Sequence, residues 1–372
     1  MTDQAVLCPK DRVLLTGGAG FIGSTLCEAL VADGHRVIVL DDLSTGRESN
    51  LAEARRHGEV ELRIGSVLDE ALVDELMGQV DCVFHLAAVV GVMKIFNDPD
   101  GTKRTNEAGT RVVVGAAERH GRPVVFASTS EVYGVDAEVP FREDAPCPVE
   151  SLTGRRWSYA AAKRRGELCL LDAHARGAFP ALIFRFFNTI GPRQRGRYGM
   201  VVPRFVQNAR RGAPLQVFGT GTQTRCFLHV EDAAAAIVGL AKLPGAAGQI
   251  FNIGSDREIS ILELSRLVLR LVTDDDRSAV ELCAYEKAYG EDFQDIPRRV
   301  PDLSKIRRTL GWNPGISLEQ SIERIASSYG KDDYDKDGYD KDDEDGEGAV
   351  LLERDGAAGP SPPGPAASNT SA

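Results

Sequence analysis

A glycine-rich turn between a strand and a helix constrains this chain of 372 residues more than any other feature. Arg12 to Leu15 reads as a short buried strand, TGGAGFIG follows at 16–23, and residues 24–31 have a helical pattern. Glycines here allow a tight turn and close approach of the backbone to a pyrophosphate, which the helix N-terminus attracts. The turn therefore predicts a dinucleotide site. Its candidate cofactor contacts are Gly17, Gly20, Phe21, Ile22 and Gly23.

A carboxylate follows the second predicted strand, at the place expected for a ribose contact. Residues 36–40 form that strand, and Asp41 stands 18 residues after Gly23. A carboxylate there accepts hydrogen bonds from the adenosine ribose diol and repels a 2′-phosphate. The sequence therefore predicts NAD rather than NADP as the cofactor.

A tyrosine and a lysine four residues apart form a candidate acid–base pair. Tyr159 and Lys163 share one face of a predicted helix, and an ammonium group favours the phenolate form of a neighbouring phenol. A phenolate can take the proton of an alcohol while a nicotinamide takes the hydride. Because the pair follows the run ASTSEVYG at 127–134, we expect hydride chemistry on a sugar hydroxyl.

The remaining pattern predicts an α/β protein with a Rossmann-type, doubly wound parallel sheet. Strand and helix alternate to about residue 187, which is typical of such sheets. We expect an NAD-binding domain at 1–187 with return elements at about 226–255, and mainly a smaller C-terminal nucleotide-sugar lobe at 188–330. The predicted strands are 12–16, 36–40, 60–64, 81–85, 123–127, 181–187 and 250–253, and the predicted helices are 21–33, 69–77, 102–120, 158–176, 201–211, 231–242, 260–272, 302–309 and 317–328.

The last part of the chain, residues 331–372, differs in character from the rest. It begins with a run of Asp, Lys, Gly and Tyr and ends in Pro, Gly, Ala and Ser, so we expect a disordered acidic tail. A calcium-loop pattern starts at Asp333, but Asp340 occupies its usually apolar position and no helix pattern follows. We therefore predict no metal site in this protein.

Charge and composition argue against several classes of protein. Of the net charge of −11, residues 331–372 carry −8 (12 acidic minus 4 basic residues), which leaves −3 for residues 1–330. This balance argues against a nucleic-acid partner, and the absence of a run of about 18 apolar residues argues against a membrane span. Seven scattered cysteines and a first segment without a signal-peptide pattern favour the cytoplasm. Arginines at 193, 195, 197, 204, 210 and 211 predict a patch for sugar-nucleotide phosphates.

Motifs along residues 11–329 together resemble the extended short-chain dehydrogenases/reductases, in particular the nucleotide-sugar epimerases and dehydratases. The resemblance implies NAD as cofactor, Ala87 as a further cofactor contact, and a homodimer formed through helices 102–120 and 158–176. One departure is Gly65-Ser66, where the family has Gly-Asp with a carboxylate that meets the adenine. The matching motifs are TGGAGFIG at 16–23, Asp41, HLAA at 85–88, Asn106, STSEVYG at 128–134, Tyr159 with Lys163, RFFN at 185–188, GPR at 191–193, TRCF at 224–227 and RRVPD at 298–302.

Within this family the resemblance implies that C4 of the sugar is first oxidised to a ketone. Epimerases then return the hydride to the other face, dehydratases eliminate water, and decarboxylases lose carbon dioxide from a uronic acid whose carboxylate is β to the ketone. Glu131 in its motif and the segment 288–302 resemble UDP-glucuronate decarboxylases. Arg299 takes the place of the arginine near the substrate carboxylate, and a guanidinium fork suits that group.

We therefore predict decarboxylation of UDP-glucuronic acid, through a UDP-4-keto intermediate, to UDP-xylose or a UDP-4-keto-pentose. The alternatives are a UDP-sugar 4-epimerase, in which an arginine near 299 serves the diphosphate, a 4,6-dehydratase, or a nucleotide-sugar-binding protein without turnover. The resemblance implies that Tyr159 is the base and later the acid at O4, that Lys163 lowers the pKa of Tyr159 and holds the nicotinamide ribose, and that Thr129 bonds O4. It places Ser130 and Glu131 at the C5–C6 region of the sugar and Arg299 at its carboxylate. The residues that it places at the nucleotide are Asn188, Arg225 and Val217.

Overall fold

The computed structural model describes residues 5–91, 98–135, 138–152, 157–196, 200–273, 279–284 and 296–329. The predicted tail with its calcium-loop pattern, and most of the segment 288–302, lie outside these ranges. Among the helices of these ranges, none combines the length and the apolar character that crossing a membrane requires.

Short runs rich in β-branched residues form the strands of the described ranges, as their intrinsic preferences predict. Most of the predicted strands and helices match observed ones to within a few residues. The strands are β1 (Arg12–Thr16), β2 (Arg36–Asp41), β3 (Val60–Ile64), β4 (Cys82–His85), β5 (Val124–Thr129), β6 (Ala181–Phe186), β7 (Thr189–Ile190), β8 (Leu215–Phe218), β9 (Thr224–Cys226), β10 (Leu228–His229), β11 (Ile250–Ile253), β12 (Glu258–Ser260), β13 (Val280–Cys283) and β14 (Arg298–Arg299).

Several helices begin at residues whose side chains cap them. Ser260 and Ser317 form capping boxes with Glu263 and Gln320, and Asp98 caps a long helix whose first residue is a proline. The helices are α1 (Phe21–Ala32), α2 (Ala52–His57), α3 (Glu70–Met77), α4 (Pro99–His120), α5 (Ser158–Ala175), α6 (Val201–Arg210), α7 (Val230–Ala241), α8 (Ile261–Val272), α9 (Ser304–Leu310) and α10 (Leu318–Ser328), and 3₁₀ turns occur at Glu48–Leu51, Ser130–Tyr133 and Pro148–Ser151.

The main sheet is parallel throughout, with the strand order β11-β6-β5-β4-β1-β2-β3. β1 pairs with β2 on one side and with β4 on the other, so the order reverses between β1 and β4. Such a reversal opens a crevice at the carboxyl ends of the strands, where α/β sheets bind ligands. β11 pairs with β6, which confirms the predicted return of residues 250–253 to this sheet.

Alternating side chains of the strands supply two apolar layers, one on each face of the sheet. Val13 and Leu15 belong to the layer that also contains residues of α1 and α7. Leu14 belongs to the opposite layer, which contains residues of α3, α4 and α5. The sheet is therefore covered on both faces, as the predicted doubly wound fold requires.

A third apolar cluster is formed by residues that follow strand β6 in the sequence. It supports the second wall of the crevice. It joins α6, α8 and α10 to β8 through residues such as Val206, Leu264 and Ile322. Beside it, β9 pairs antiparallel with β12 and parallel with β14. These short strands carry Arg225 and Arg299 at neighbouring register positions.

Candidate active site

A cavity of about 560 Å³ lies along the carboxyl ends of the main strands. Its walls contain every predicted catalytic and cofactor residue, and every predicted substrate contact except Val217. The predicted residues at its wall are Gly17, Gly20, Phe21, Ile22, Gly23, Asp41, Ala87, Thr129, Ser130, Glu131, Tyr159, Lys163, Asn188, Arg225 and Arg299.

Val217 is the exception, because its side chain points away from the cavity. It is fully buried in the apolar cluster of α6, α8 and β8. Successive strand residues face opposite sides, so its neighbours Gln216 and Phe218 line the cavity instead. The side chain of Val217 is therefore not at the cavity wall, and Gln216 and Phe218 are the residues by which this predicted nucleotide-binding strand, 215–218, reaches it.

The glycine-rich turn has no room for side chains at two positions. Gly17 has a φ of +71°, and a Cβ there would lie 2.8 Å from the backbone nitrogen of Ala87. A Cβ on Gly23 would lie 2.1 Å from the carbonyl oxygen of Gly17. No described side chain caps α1, whose N-cap residue is Gly20. The first-turn N–H groups are therefore available to a pyrophosphate, which fits NAD.

Asp41 lies at the end of β2 with both carboxylate oxygens anchored by backbone donors. Oδ2 accepts from the N–H of Ala19 and Oδ1 from that of Leu43, each at 2.9 Å. Burial raises the pKa of Asp41, although the two backbone bonds oppose this effect. Because each oxygen retains a lone pair toward the cavity, the group fits an adenosine ribose diol.

The end of β3 carries a serine where the resembled family has an acid. Ser66 lines the cavity, and its Oγ accepts from the N–H of Leu68 at 3.2 Å. Asp69 instead caps α3 by accepting from the N–H of Leu72 at 3.0 Å. Its carboxylate is therefore used by the helix, and a hydroxyl is the polar group left at this end of the cavity.

The loop after β4 is held against the glycine turn by buried polar groups. The N–H of Ala87 donates to Thr16 Oγ1 at 3.2 Å, and His85 Nδ1 lies 2.8 Å from the same oxygen. Asn106 accepts from the N–H of Val89 and donates to its carbonyl. Burial lowers the pKa of His85 to about 3. The imidazole is therefore neutral and packs between Thr16 and Thr110.

Tyr159 and Lys163 face the cavity from the first turns of α5. Lys163 is 3% exposed, its Nζ lies 4.8 Å from the centre of the Phe126 ring, and burial lowers its pKa to about 7. Burial and the negative charge of Glu131 raise the pKa of Tyr159. The expected lowering of the Tyr159 pKa is therefore not found in the chain alone, because burial of the phenol and the negative charge of Glu131 both act in the opposite direction.

A carboxylate and two guanidinium groups meet at the opposite wall. Arg299 Nη2 lies 3.5 Å from Glu131 Oε1, and both side chains are mostly buried. Arg225, the register partner of Arg299, donates from Nη1 to the carbonyls of Thr224 and Ile296 at 2.7 and 2.8 Å. The wall carries a net positive charge when all three groups are ionised, so it suits an anionic substrate.

Thr129 and Ser130 connect these two walls. Thr129 is the last residue of β5, and its Oγ1 accepts from the N–H of Glu131 at 3.3 Å. Ser130 is almost fully buried. The strand end therefore places two hydroxyls and the Glu131 carboxylate in sequence along the cavity floor.

A buried ion pair behind the cavity was not predicted from the sequence. Arg185 of β6 donates from Nε and Nη2 to the two oxygens of Glu167, both at 2.8 Å, and Ser128 donates to Oε1 at 2.6 Å. Both charged residues are at most 1% exposed. Glu167 follows Lys163 by four residues, so the i, i+4, i+8 spacing from Tyr159 was the signal available.

The chain resembles known proteins over most of its length. The NAD dependent epimerase/dehydratase family matches residues 13–254. UDP-N-acetyl-alpha-D-glucosaminuronate decarboxylase of Bacillus cytotoxicus is 40% identical over 316 residues, which cover 84% of this chain and 96% of that protein. UDP-glucuronic acid decarboxylase 1 of Xenopus tropicalis is 34% identical over 87% of this chain and 73% of its own.

Solved structures share the fold as well. One is the UDP-glucuronic acid 4-epimerase of Bacillus cereus, solved in complex with UDP-glucuronic acid and NAD. It superposes with a TM-score of 0.75 at 26% identity and covers 85% of this chain and 98% of its own. The same architecture therefore occurs in decarboxylases and epimerases, so the side chains at the cavity wall must distinguish them.

Proposed function

This chain belongs to the NAD-dependent epimerase/dehydratase family, and we propose that it decarboxylates a UDP-linked uronic acid. UDP-glucuronic acid is the proposed substrate, and UDP-xylose or a UDP-4-keto-pentose the product. The names of the two decarboxylase relatives support this reading. Because the relative from Bacillus cytotoxicus acts on the N-acetylated uronic acid, that sugar nucleotide is the second substrate to test.

The observation that carries the proposal is the position of Arg299 in the cavity. Its buried guanidinium shares the wall with Glu131, and both line the cavity that Tyr159 and Thr129 line. A guanidinium matches a carboxylate in charge and in bidentate geometry. A neutral hexose has no group that would require this charge at C5, whereas a uronic acid does.

The proposed roles follow from where each side chain lies. The Tyr159 phenol takes the proton from O4 and later returns it, and Thr129 bonds the same oxygen. Arg299 holds the carboxylate that leaves as carbon dioxide, while Ser130 and Glu131 face the C5–C6 region, where the Ser130 hydroxyl can donate to the developing enolate. Asn188, Arg225, Gln216 and Phe218 face the nucleotide. When bound, NAD accepts the hydride of C4 and can give it back.

The cofactor would be held by the elements described above. The N–H groups at the start of α1 face its pyrophosphate, Asp41 its adenosine ribose, and Lys163 its nicotinamide ribose. The positive charge of the oxidised nicotinamide ring, close to Tyr159, would favour the phenolate form of its side chain. This opposes the effects of burial and Glu131 that raise the pKa of Tyr159 in the chain alone.

The second candidate is a UDP-glucuronic acid 4-epimerase. The Bacillus cereus structure favours it, because that protein is solved with the same uronic acid. Binding of the carboxylate is common to both candidates, so they differ in whether the keto intermediate loses carbon dioxide before the hydride returns.

Product analysis separates these candidates. Purified protein is mixed with NAD and with UDP-glucuronic acid or its 2-acetamido counterpart, and the products are followed by carbon NMR and mass spectrometry. We expect loss of carbon dioxide with a bicarbonate signal, and no reaction from Tyr159→Phe protein that still binds NAD. An isomer of unchanged mass would identify a 4-epimerase, and loss of water a 4,6-dehydratase.

We also propose a cytoplasmic homodimer that forms through α4 and α5. All seven cysteines are free thiols, which is usual in a reducing compartment. Leu168 and Cys169 are exposed on α5, so this helix presents apolar side chains that a second copy could cover. Sedimentation of wild type and of Leu168→Glu protein tests the interface, since the charge should shift the variant toward monomer.

A further inference from the structure

The loop after β7 is joined to the cofactor side of the cavity by one arginine. Arg193 follows Gly191 and Pro192 and has a φ of +71°, a left-handed conformation that is strained for a non-glycine residue. The cluster of arginines in this region predicted a phosphate patch. The contacts of Arg193 point elsewhere.

The guanidinium of Arg193 binds two segments that are distant in sequence. Nη1 and Nη2 donate to the two oxygens of Glu28 in α1, at 2.8 and 3.1 Å. Nη2 also donates to Thr25 Oγ1 at 3.3 Å, and Nη1 to the carbonyl of Asn50 at 3.0 Å. All of these partners belong to the α1 side, whose N-terminus faces the pyrophosphate.

The contact continues from Asn50 into the glycine-rich turn. Asn50 Nδ2 donates to the carbonyl of Ala19 at 2.8 Å, and the N–H of Ala19 donates to Asp41. On its other side the loop is held by Gln194, whose Nε2 donates to the carbonyl of Thr189 at 3.0 Å. Arg193, Asn50 and Asp41 all line the cavity, so this series of bonds crosses its outer edge.

We propose that Arg193 is a positioning residue that latches the β7 loop to α1 and thereby retains NAD between turnovers. NAD held by the start of α1 and by Asp41 would lie in the cavity that Arg193 and Asn50 also line, so its release would require the Arg193–Glu28 pair to separate. The consequence for product rests on the proposed function: a retained cofactor can return its hydride, which yields the UDP-pentose, whereas release yields the UDP-4-keto-pentose and NADH in equal amounts.

Glu28 allows the latch to be tested from outside the cavity. It is partly exposed in the middle of α1 and is absent from the cavity wall, so Glu28→Gln alters the latch without touching NAD. Arg193→Gln removes the other partner. The matched control is Glu48→Gln, which breaks the exposed Arg55–Glu48 pair in the same 3₁₀ turn as Asn50 but keeps Arg193 and all of its partners.

The primary measurement is the dissociation rate of NADH from each holoprotein without substrate, followed by its fluorescence. We expect each latch variant to release it about tenfold faster, ~1.4 kcal/mol of binding free energy, and the double variant to be no faster than the singles. Glu48→Gln should match wild type. Rates for both latch variants within twofold of wild type would overturn the proposal.

A second readout separates the latch from the proposed function. With UDP-glucuronic acid, the latch variants should shift product toward the UDP-4-keto-pentose with free NADH. If no carbon dioxide forms from any uronic acid, the proposed function fails, while the dissociation rates still decide whether the latch exists. Unchanged melting temperatures for Glu28→Gln show that any effect is local.

Discussion

At the residue scale, the contact between Glu131 and Arg299 shows how a carboxylate balances the charge of one buried arginine at the cavity wall. The two groups lie 3.5 Å apart and are mostly buried. A buried charge is costly without a partner, so Glu131 compensates Arg299 in the empty site. A substrate carboxylate would then compete with Glu131 for the guanidinium, which couples substrate binding to a movement of Glu131 toward C5.

Replacing this arginine should affect charged sugars selectively. We expect Arg299→Gln to lower kcat/KM for UDP-glucuronic acid roughly thirtyfold. The loss of a charge-assisted bond should reduce transition-state stabilisation by about 2 kcal/mol. Arg298→Gln is the matched control, since the neighbouring arginine pairs with Glu258 at the surface. Calorimetric titration of wild type and Arg299→Gln with UDP-glucuronic acid and with UDP-glucose then compares the loss of affinity for the charged and the neutral sugar. Equal loss of affinity for both sugars would assign Arg299 to the diphosphate instead.

The buried Lys163 should make the free energy of unfolding depend on pH. The pKa of Lys163 is about 7 in the fold and about 10.4 when unfolded. The unfolded chain therefore binds more protons between these values, and this group's penalty on stability falls as pH rises. In cofactor-free protein, Lys163→Met should increase the free energy of unfolding more at pH 7 than at pH 9. Equal increases at both pH values would contradict the lowered pKa.

At the scale of single elements, the strand–turn–helix unit depends on missing side chains. Gly23→Ala places a Cβ within bonding range of the Gly17 carbonyl, so we expect loss of NAD binding and a lower melting temperature. Gly115→Ala in α4 is the control, because its Cβ would meet its nearest neighbour, Arg119, at 3.6 Å. That change should stabilise the helix by about 0.5–1 kcal/mol. Equal effects of the two changes on NAD affinity would refute the steric argument.

A buried ion pair joins α5 to strand β6 of the sheet, in addition to the apolar layer between them. Glu167→Gln leaves Arg185 without its charged partner, so we expect the free energy of unfolding to fall by about 3–5 kcal/mol in urea titrations. Arg142→Gln breaks the exposed pair with Asp144 and should cost less than about 1 kcal/mol. A loss below that of the control would mean that the pair contributes little.

The pH dependence of this pair has a defined sign. Burial alone would raise the pKa of Glu167, but the bonds from Arg185 and Ser128 lower it on balance. A carboxyl group whose pKa is depressed in the fold contributes stability above its unfolded pKa and loses it as pH falls through the folded value. The difference in free energy of unfolding between wild type and Glu167→Gln should therefore become smaller at acidic pH.

At the scale of the whole molecule, most of the net charge is carried by the last 42 residues of the sequence. Residues 331–372 carry −8 of the net −11, and the cavity is built from residues 17–299. We expect protein ending at Gly330 to keep kcat/KM within about twofold of the full chain, because it retains every residue of the cavity wall. A larger loss in steady-state assays would assign the tail a role in the site.

Much of the architecture could be predicted because its causes are local in sequence. The spacing of glycines, the position of Asp41 and the strand and helix limits depend on residues within a few turns of one another, and the return of residues 250–253 followed from fold topology. The division at residue 187 into two domains remains a prediction. So do the roles of Tyr159, Lys163 and the other cavity residues, which the structure brings together without testing them.

The sequence by itself determined the dinucleotide cradle, the Tyr159–Lys163 spacing and the doubly wound sheet, since backbone sterics and side-chain periodicity act over short distances. Only the tertiary structure decided that Glu131 meets Arg299, that Arg193 pairs with Glu28, and that Val217 faces the core. These outcomes depend on how elements far apart in the chain pack and on which charges burial forces together. Periodicity along the chain carries no record of such contacts.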